Sequence, residues 1–224
     1  TDGIAGVVAI GNDGGDVCGG GGSDAQLLRG ADHALEASHF SKIKELFRLV
    51  HAAGLDGAVE HIDAVGANHS HGLPDIGSID LETVRIDTQR ITRRVDLPLL
   101  VDADTGWGNP TESVRVLAGA GAAAVHIEDQ VPAKLCGHLP GKHLVSTAEM
   151  VGRVQAAVRG KPDPDFVVMA RTDAAGIEGL AAAVDRANAY VAAGADMIFA
   201  EALETLDEYR VFTSALPVPV LANI

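Results

Sequence analysis

The sequence predicts an α/β fold, a (β/α)8 barrel (TIM barrel), formed by a single domain of residues 1–224. From about residue 57 onward, short runs rich in Val, Leu and Ile alternate with Ala-rich amphipathic stretches, which is the pattern of repeated βα units around a parallel sheet. A length of 224 residues suits such a barrel, and 47% hydrophobic residues suffice for one sizeable core.

The predicted strands are continuous apolar runs, as expected for strands buried on both faces of a parallel sheet. They cover residues 4–10, 57–62, 98–104, 123–128, 165–171, 196–201 and 217–223. The predicted helices between them cover 80–94, 111–118, 147–159, 179–193 and 206–216, with one or two more within 32–53. A closed barrel needs one strand more than these seven. We therefore expect the last strand and the C-terminal helices to be missing from this sequence.

The composition narrows the class of partner. A net charge of −14, from 31 acidic and 17 basic residues, argues against binding to nucleic acid or to an anionic membrane surface. No apolar run approaches the length of a membrane span, and the N-terminus lacks the features of a signal peptide. Two cysteines, Cys18 and Cys136, are too few for a disulfide framework. These observations predict a cytoplasmic protein that binds a small molecule.

Charged or amide residues occupy the C-terminal ends of five successive predicted strands. In a barrel, active sites form at that end. Residues two apart in a strand share one face, so paired side chains point the same way. Because buried charge without partners is unfavourable, several such residues at one rim indicate a functional site. They are, in chain order, Asp102 with Asp104, His126 with Glu128, Arg171, Glu201 and Asn223.

The acidic members of this set predict a metal site. Asp102, Asp104 and Glu128 are carboxylates with no accompanying cluster of Cys or His, which favours a hard cation. Mg²⁺ usually takes one or two carboxylates, keeps several waters and leaves places for substrate oxygens. Mn²⁺ would be tolerated by the same ligands. His126, taken singly, is as consistent with a core histidine as with a ligand.

A polar loop after Glu128 carries a second candidate. A lone cysteine is usually a small buried hydrophobe. Cys136 instead lies among Lys134, His138 and Lys142, where a thiol can be exposed and its pKa tuned. We therefore favour a functional role for Cys136.

Together these segments resemble the isocitrate lyase/phosphoenolpyruvate mutase superfamily, and within it the methylisocitrate lyase family. The similarity extends over residues 72–224. The DADTGWG segment is typical of the whole superfamily, whereas the KLCGH segment is more specific and is typical of the carbon–carbon lyases within it. The similar segments are 102–108, 126–130, 134–138, 169–173, 195–201 and 220–224.

The resemblance implies roles for individual residues. Asp102, Asp104 and Glu128 would hold Mg²⁺, directly or through water. The implied catalytic residues are Cys136, as a general acid, with His138 and Lys134. The implied substrate-binding residues are Asp75 on the metal and pyruvate side, Gly137 against the substrate, and Arg171, Glu201 and Asn223 around its remaining carboxylates.

The implied activity is cleavage of a 2-methylisocitrate-like 2-hydroxy tricarboxylate to pyruvate and succinate by a homotetramer. One alternative is a phosphonomutase of the carboxyphosphonoenolpyruvate type. Another is a non-catalytic homologue that binds a dicarboxylate. Leu135 stands where the family has a second cation, and the family's Ser-Gly-Gly motif has no counterpart in residues 59–64. Both departures favour the non-catalytic alternative.

Overall fold

Parallel strands build one sheet. The computed structural model describes residues 7–10, 60–62, 77–94, 98–132 and 141–223. All neighbouring strands run parallel, which confirms the predicted α/β class. The strands are β1 (Val7–Ile10), β2 (Glu60–Ile62), β3 (Leu99–Asp102), β4 (Ala124–Glu128), β5 (Val167–Thr172), β6 (Met197–Ala200) and β7 (Val220–Asn223).

The order of strands across the sheet is β1-β7-β6-β5-β4-β3-β2. From β2 to β7 this follows chain order, as expected for successive βα units. The first strand departs from chain order, which alone would place it beside β2. It pairs instead with β7, where Val7 lies opposite Val220 and Ile10 opposite Asn223. In the described part of the chain, β1 and β2 are the two edges of the sheet.

The helices agree with the predicted ones to within a few residues, and the predicted helices in 32–53 lie outside the described residues. The four-residue helix Ala175–Glu178 was not predicted. Within the described ranges, no helix is both long and apolar enough to cross a membrane. The helices are α1 (Leu81–Thr92), α2 (Pro110–Gly119), α3 (Thr147–Gly160), α4 (Ala175–Glu178), α5 (Leu180–Ala192) and α6 (Leu206–Ser214).

Side-chain caps explain where several helices begin. Asp80 accepts a hydrogen bond from the Thr83 amide at 2.8 Å and caps α1. Thr205 and Glu208 form a reciprocal capping box at the start of α6. Each such cap satisfies an amide that has no partner within the helix and stabilises the helix by about 1 kcal/mol. The helices therefore start at fixed distances from the strands that precede them.

The two faces of the sheet have different cores. Leu99 and Val101 point toward the helices and pack with residues of α1, α2 and α3. Leu100 points the other way and joins a cluster made of strand residues alone. Side chains that are buried against one another on that face require the sheet to curl around them. The inner cluster is Leu100, Ala124, Val167, Met169, Met197, Phe199 and Leu221.

The contact between α2 and α3 depends on a glycine. A Cβ atom at Gly160 would lie 2.5 Å from the carbonyl oxygen of Thr111 and 2.9 Å from Cβ of Val114. The hydroxyl of Thr111 also donates to the carbonyl of Ala156 at 2.7 Å. The helices therefore approach more closely here than any larger residue permits.

We expect Gly160→Ala to lower the free energy of unfolding by about 1–3 kcal/mol, because the added methyl group overpacks this contact. Gly152→Ala is the matched control, since Gly152 is exposed on the same helix and has no neighbour within 4 Å of the added atom. Its better helix propensity should raise stability by about 0.5–1 kcal/mol. Urea denaturation measures both changes, and equal changes in the two variants would contradict the close contact.

Candidate active site

Five of the predicted site residues meet at the C-terminal ends of β3 to β6. Asp102, Glu128 and Arg171 lie within strands, an even number of positions beyond members of the inner cluster, and therefore point to the same face. Asp104 and Glu201 lie just beyond the ends of β3 and β6. All five are buried, with exposed fractions of 9% or less. They are Asp102, Asp104, Glu128, Arg171 and Glu201.

Backbone contacts hold the loop after β3 in a strained conformation. Asp104 has a φ of 46°, in the left-handed region that aspartate tolerates better than most residues. Its amide donates to Oδ1 of Asp102 at 2.8 Å, and its carbonyl accepts from the amide of Glu128 at 2.9 Å. The three predicted metal-binding carboxylates are thus connected through one short segment of backbone.

The following turn is closely packed. Gly106 has a φ of 89°, and a Cβ atom there would lie 2.8 Å from Cγ of Pro110 and 2.9 Å from Cδ1 of Ile127. Trp107 donates from Nε1 to the carbonyl of Ile79 at 2.9 Å. The glycine and the tryptophan of the DADTGWG segment therefore fix the loop that carries Asp104.

His126 lies beside the predicted metal ligands. Its Nδ1 is 3.6 Å from Oδ1 of Asp102 on the neighbouring strand. Its ring packs edge-on against Phe199 of β6, with the centroids 5.4 Å apart. The sequence left open whether this histidine belongs to the core or to the site. The structure places it at the boundary, between the inner cluster and Asp102.

Arg171 is surrounded by carboxylates. Its Nε lies 3.5 Å from Oε2 of Glu128, and its Nη2 lies 3.6 Å from Oε2 of Glu201. Asp173 accepts from Nε at 3.0 Å and from Nη2 at 3.2 Å. Burial by itself lowers the pKa of the guanidinium, but the three negative charges outweigh burial and raise the pKa of Arg171 above its usual value. Arg171 is therefore a fixed positive charge at the rim.

Asp173 and Lys142 belong to the same group, although neither was among the predicted site residues. Lys142 Nζ lies 2.7 Å from Oδ1 of Asp173. Burial raises the pKa of Asp173, yet Arg171 and Lys142 together lower it below its usual value. The spacing of two between Arg171 and Asp173 was a usable signal for a shared face, whereas nothing in the sequence pairs Lys142 with Asp173.

Other predicted residues cannot be placed. Asp75, Lys134, Cys136, Gly137 and His138 all lie outside the described residues. The backbone of Asn223 ends β7, opposite Ile10 of β1, but its side chain is outside the described part of the chain. The roles of these residues remain predictions.

The donor set suits a hard cation that keeps water. Asp102, Asp104 and Glu128 offer only oxygen atoms, as Mg²⁺ prefers. Among the described residues, no group of three or more His, Cys, Asp and Glu side chains forms a ready-made metal cluster. A Mg²⁺ ion typically takes one or two carboxylates and completes its shell with water and substrate oxygens, and these three residues offer such ligands.

The family model described as phosphoenolpyruvate phosphomutase matches residues 48–224 of the chain. Among curated proteins, the 2-methylisocitrate lyase of Shewanella oneidensis is 56% identical over 161 residues, which are 70% of this chain and 55% of that protein. The 2-methylisocitrate lyase of Escherichia coli is 57% identical over 159 residues, which are 69% of this chain and 54% of that protein. The chain thus spans about half the length of these relatives.

Solved structures give the same grouping. A crystal structure of 2,3-dimethylmalate lyase has a TM-score of 0.69 and 35% identity, covering 82% of this chain and 61% of that one. Oxaloacetate acetylhydrolase with 3,3-difluorooxalacetate has a TM-score of 0.73 and 30% identity, covering 82% and 71%. Phosphonopyruvate hydrolase with oxalate and Mg²⁺ has a TM-score of 0.63 and 31% identity, covering 79% and 63%.

We expect Asp173→Asn to lower the free energy of unfolding by about 2–4 kcal/mol, because it removes the charge that two buried cations share. Glu128 and Glu201 remain near Arg171 and limit the loss. Asp207→Asn, which breaks an exposed ion pair with Arg210, should change stability by less than about 0.5 kcal/mol. Urea denaturation of both variants checks this, and a loss as small for Asp173→Asn as for the control would contradict the assignment.

We also expect the stability difference between the wild type and Asp173→Asn to depend on pH. Since the folded-state pKa of Asp173 is below the usual 3.8, its ionised form stabilises the fold, fully so above that value. This contribution is lost as the pH falls through the lower, folded-state pKa. The stability difference between the wild type and Asp173→Asn should therefore be constant near neutral pH and narrow below a pH of about 4.

Proposed function

This chain belongs to the phosphoenolpyruvate phosphomutase family, and we propose that it is a Mg²⁺-dependent carbon–carbon lyase that cleaves a 2-methylisocitrate-like 2-hydroxy tricarboxylate to pyruvate and succinate. The observation that carries the proposal is the position of Arg171, a buried cation beside Glu128 and Glu201 at the rim that also holds Asp102 and Asp104. The identity of 56% to a 2-methylisocitrate lyase supports the choice of substrate.

Arg171 would orient a substrate carboxylate. Asp173 engages its Nε and Nη2, and among the hydrogen bonds of the described residues none uses Nη1. Cζ of Arg171 lies over the ring of Phe199, 5.1 Å from the ring centroid. These contacts fix the plane of the guanidinium and supply the preorganisation that carboxylate binding needs.

The acidic residues around Arg171 serve a second purpose in the proposal. A tricarboxylate carries negative charge that Glu128 and Glu201 would repel if no cation intervened. When bound, Mg²⁺ would neutralise the negative charge on the substrate's hydroxyl and carboxylate oxygens as the ketone forms. Asp102, Asp104 and Glu128 would hold it, directly or through water.

Cleavage then needs one proton donor. A base removes the proton of the substrate hydroxyl, and the bond between the hydroxyl-bearing carbon and the adjacent carbon breaks. The hydroxyl-bearing carbon becomes the ketone carbon of pyruvate. The electron pair remains on the carbon that becomes succinate, and Cys136 would supply the proton that this carbon takes up. A thiol near its ordinary pKa of about 8.5 is mostly protonated at neutral pH, as a donor must be. His138 and Lys134 would flank it.

The proposal extends to a cytoplasmic homotetramer with Asp75, Gly137, Glu201 and Asn223 around the substrate. The assembly and these roles rest on the resemblance alone. The location rests on the composition.

Release of pyruvate from 2-methylisocitrate, isocitrate and oxaloacetate, with and without Mg²⁺, tests the function. We expect Mg²⁺-dependent release from 2-methylisocitrate. Rearrangement of a phosphonate without such release would favour the phosphonomutase. Binding of a dicarboxylate without turnover would favour the non-catalytic homologue, which Leu135 supports.

We predict that Asp104→Asn abolishes Mg²⁺ binding in calorimetry and leaves the fold intact. Asparagine tolerates the left-handed backbone of this position but removes the charge that the cation needs. Asp185→Asn, an exposed aspartate on α5, is the matched control and should bind as the wild type does. Undiminished binding by Asp104→Asn would refute the metal assignment.

We predict that Cys136→Ser lowers kcat for pyruvate release by about 100-fold or more, within the range of general-acid contributions, and leaves substrate affinity within a few-fold. Arg171 and the metal would still hold the ligand. Cys18→Ser is the control and should leave kcat unchanged. Leu135→Arg should raise a weak wild-type rate by restoring a cation near the substrate. Wild-type cleavage by Cys136→Ser would show the thiol to be structural.

A further inference from the structure

A further buried carboxylate, that of Asp129, lies directly behind the rim. Asp129 follows β4 and is fully buried. Its Oδ2 accepts from the hydroxyl of Thr172 at 2.7 Å and from the hydroxyl of Tyr190 at 2.8 Å, and its Oδ1 accepts from the amide of Asp173 at 3.0 Å. Burial, together with the negative charge of Asp173, raises the pKa of Asp129 above its usual value, and these three donors limit the rise. The group has the surroundings of an ionised carboxylate that accepts at both oxygens.

A cation on α5 balances this charge. Arg186 Nη1 lies 3.8 Å from Oδ2 of Asp129 and donates to the hydroxyl of Tyr190 at 3.2 Å. It also donates to the carbonyl of Val145 at 3.0 Å. Its Nε and Nη2 each lie 2.7 Å from the carboxylate of Glu178. The network thus connects β4, β5, α4, α5 and the segment before α3.

The network converges on the two residues that follow Arg171. Asp129 holds the side chain of Thr172 and the backbone of Asp173, and the carboxylate of Asp173 in turn accepts two hydrogen bonds from Arg171. A displacement of the Asp173 backbone would therefore move the group that fixes the guanidinium plane. The path from Asp129 to Arg171 consists of two successive hydrogen-bonded steps.

We infer that Asp129 is a positioning residue, which acts through Asp173 to hold Arg171 in the orientation that binds a substrate carboxylate. The inference deepens the proposed function, since it takes the substrate-orienting role of Arg171 from it. A buried charge is an expensive way to achieve packing alone, and apolar residues of similar size often stabilise a core better. A carboxylate that accepts from three donors at defined angles fixes a geometry, which apolar packing does not.

The first test reads the orientation of Arg171 without any ligand. Exchange of the Arg171 Nε proton with water is measured by ¹⁵N NMR, and the signal is assigned by its loss in Arg171→Lys. In the wild type the proton should exchange slowly, because it is hydrogen-bonded and buried. In Asp129→Asn, whose amide group presents a donor to existing donors, exchange should be at least about 10-fold faster.

Two controls separate positioning from general loss of stability. Ile198→Val removes a methylene from the helix-side core of β6 and destabilises the fold, but it removes no donor or acceptor of the network. Tyr190→Phe removes one of the three donors and leaves the contact to the Asp173 amide. The exchange rate of the Arg171 Nε proton should change by less than about twofold in Ile198→Val and by less than about threefold in Tyr190→Phe. Unchanged exchange in folded Asp129→Asn, or equal acceleration in Ile198→Val, would overturn the inference.

The second test is a double-mutant cycle on oxalate binding in the presence of Mg²⁺, measured by calorimetry. Asp129→Asn should weaken binding about 10-fold in the wild-type background and less than about twofold in Arg171→Lys, because Asp129 acts through Arg171. Additive losses would overturn the inference. A wild type that binds no oxalate would count against the proposed function, and the exchange measurement would then decide the positioning role alone.

If Asp129→Asn does not fold, the combined variant Thr172→Val with Tyr190→Phe takes its place. It removes both donors to Oδ2 and keeps the carboxylate. An acceleration of Arg171 Nε exchange of about 3–10-fold supports the inference, and wild-type exchange refutes it.

Discussion

The site depends on one constraint, the burial of several carboxylates at one end of a parallel sheet. Asp102, Glu128 and Glu201 are all buried there, and Asp173 lies just beyond them. Carboxylates taken out of water repel one another, and cations at the same rim offset that repulsion. Arg171 provides such a cation within the described residues, and Lys142 provides another through its ion pair with Asp173. Inversion of the charge at Arg171 would therefore affect the rim as a whole rather than a single contact.

The two faces of the sheet divide this task between packing and chemistry. On the helix side, apolar residues and close helix contacts such as that at Gly160 hold the strands in place. On the inner side, the apolar inner cluster ends where the charged rim begins. Phe199 lies at this boundary and contacts both His126 and Arg171. The charged side chains thus lie against an apolar layer of low dielectric constant, which strengthens their mutual interactions.

The sequence was sufficient to predict the rim because strand periodicity is local. A spacing of two predicted a shared face for His126 and Glu128, which both lie within β4, and continuous apolar runs located the strands to within a few residues. The network around Asp129 could not be predicted, because its contacts join residues that are far apart in the sequence. Tyr190 and Asp129 are 61 residues apart, and an Ala-rich helix gives no sign of which polar side chain will be buried. The position of β1 was equally hidden, since apolar runs identify strands but not their neighbours across a sheet.

The pairing of β1 with β7 has a consequence for the order in which the protein folds. Val7 and Val220 are brought together only after nearly every intervening residue has been synthesised. The β3–β4 and β4–β5 pairs join segments that are close in the chain and can form early, whereas contacts of high sequence separation form slowly because a long loop must close first. During synthesis, β1 therefore stays without this partner until β7 has been made, and the β1–β7 pair forms late. Folding intermediates should therefore expose an unpaired strand edge at β1, and such edges favour pairing with other chains.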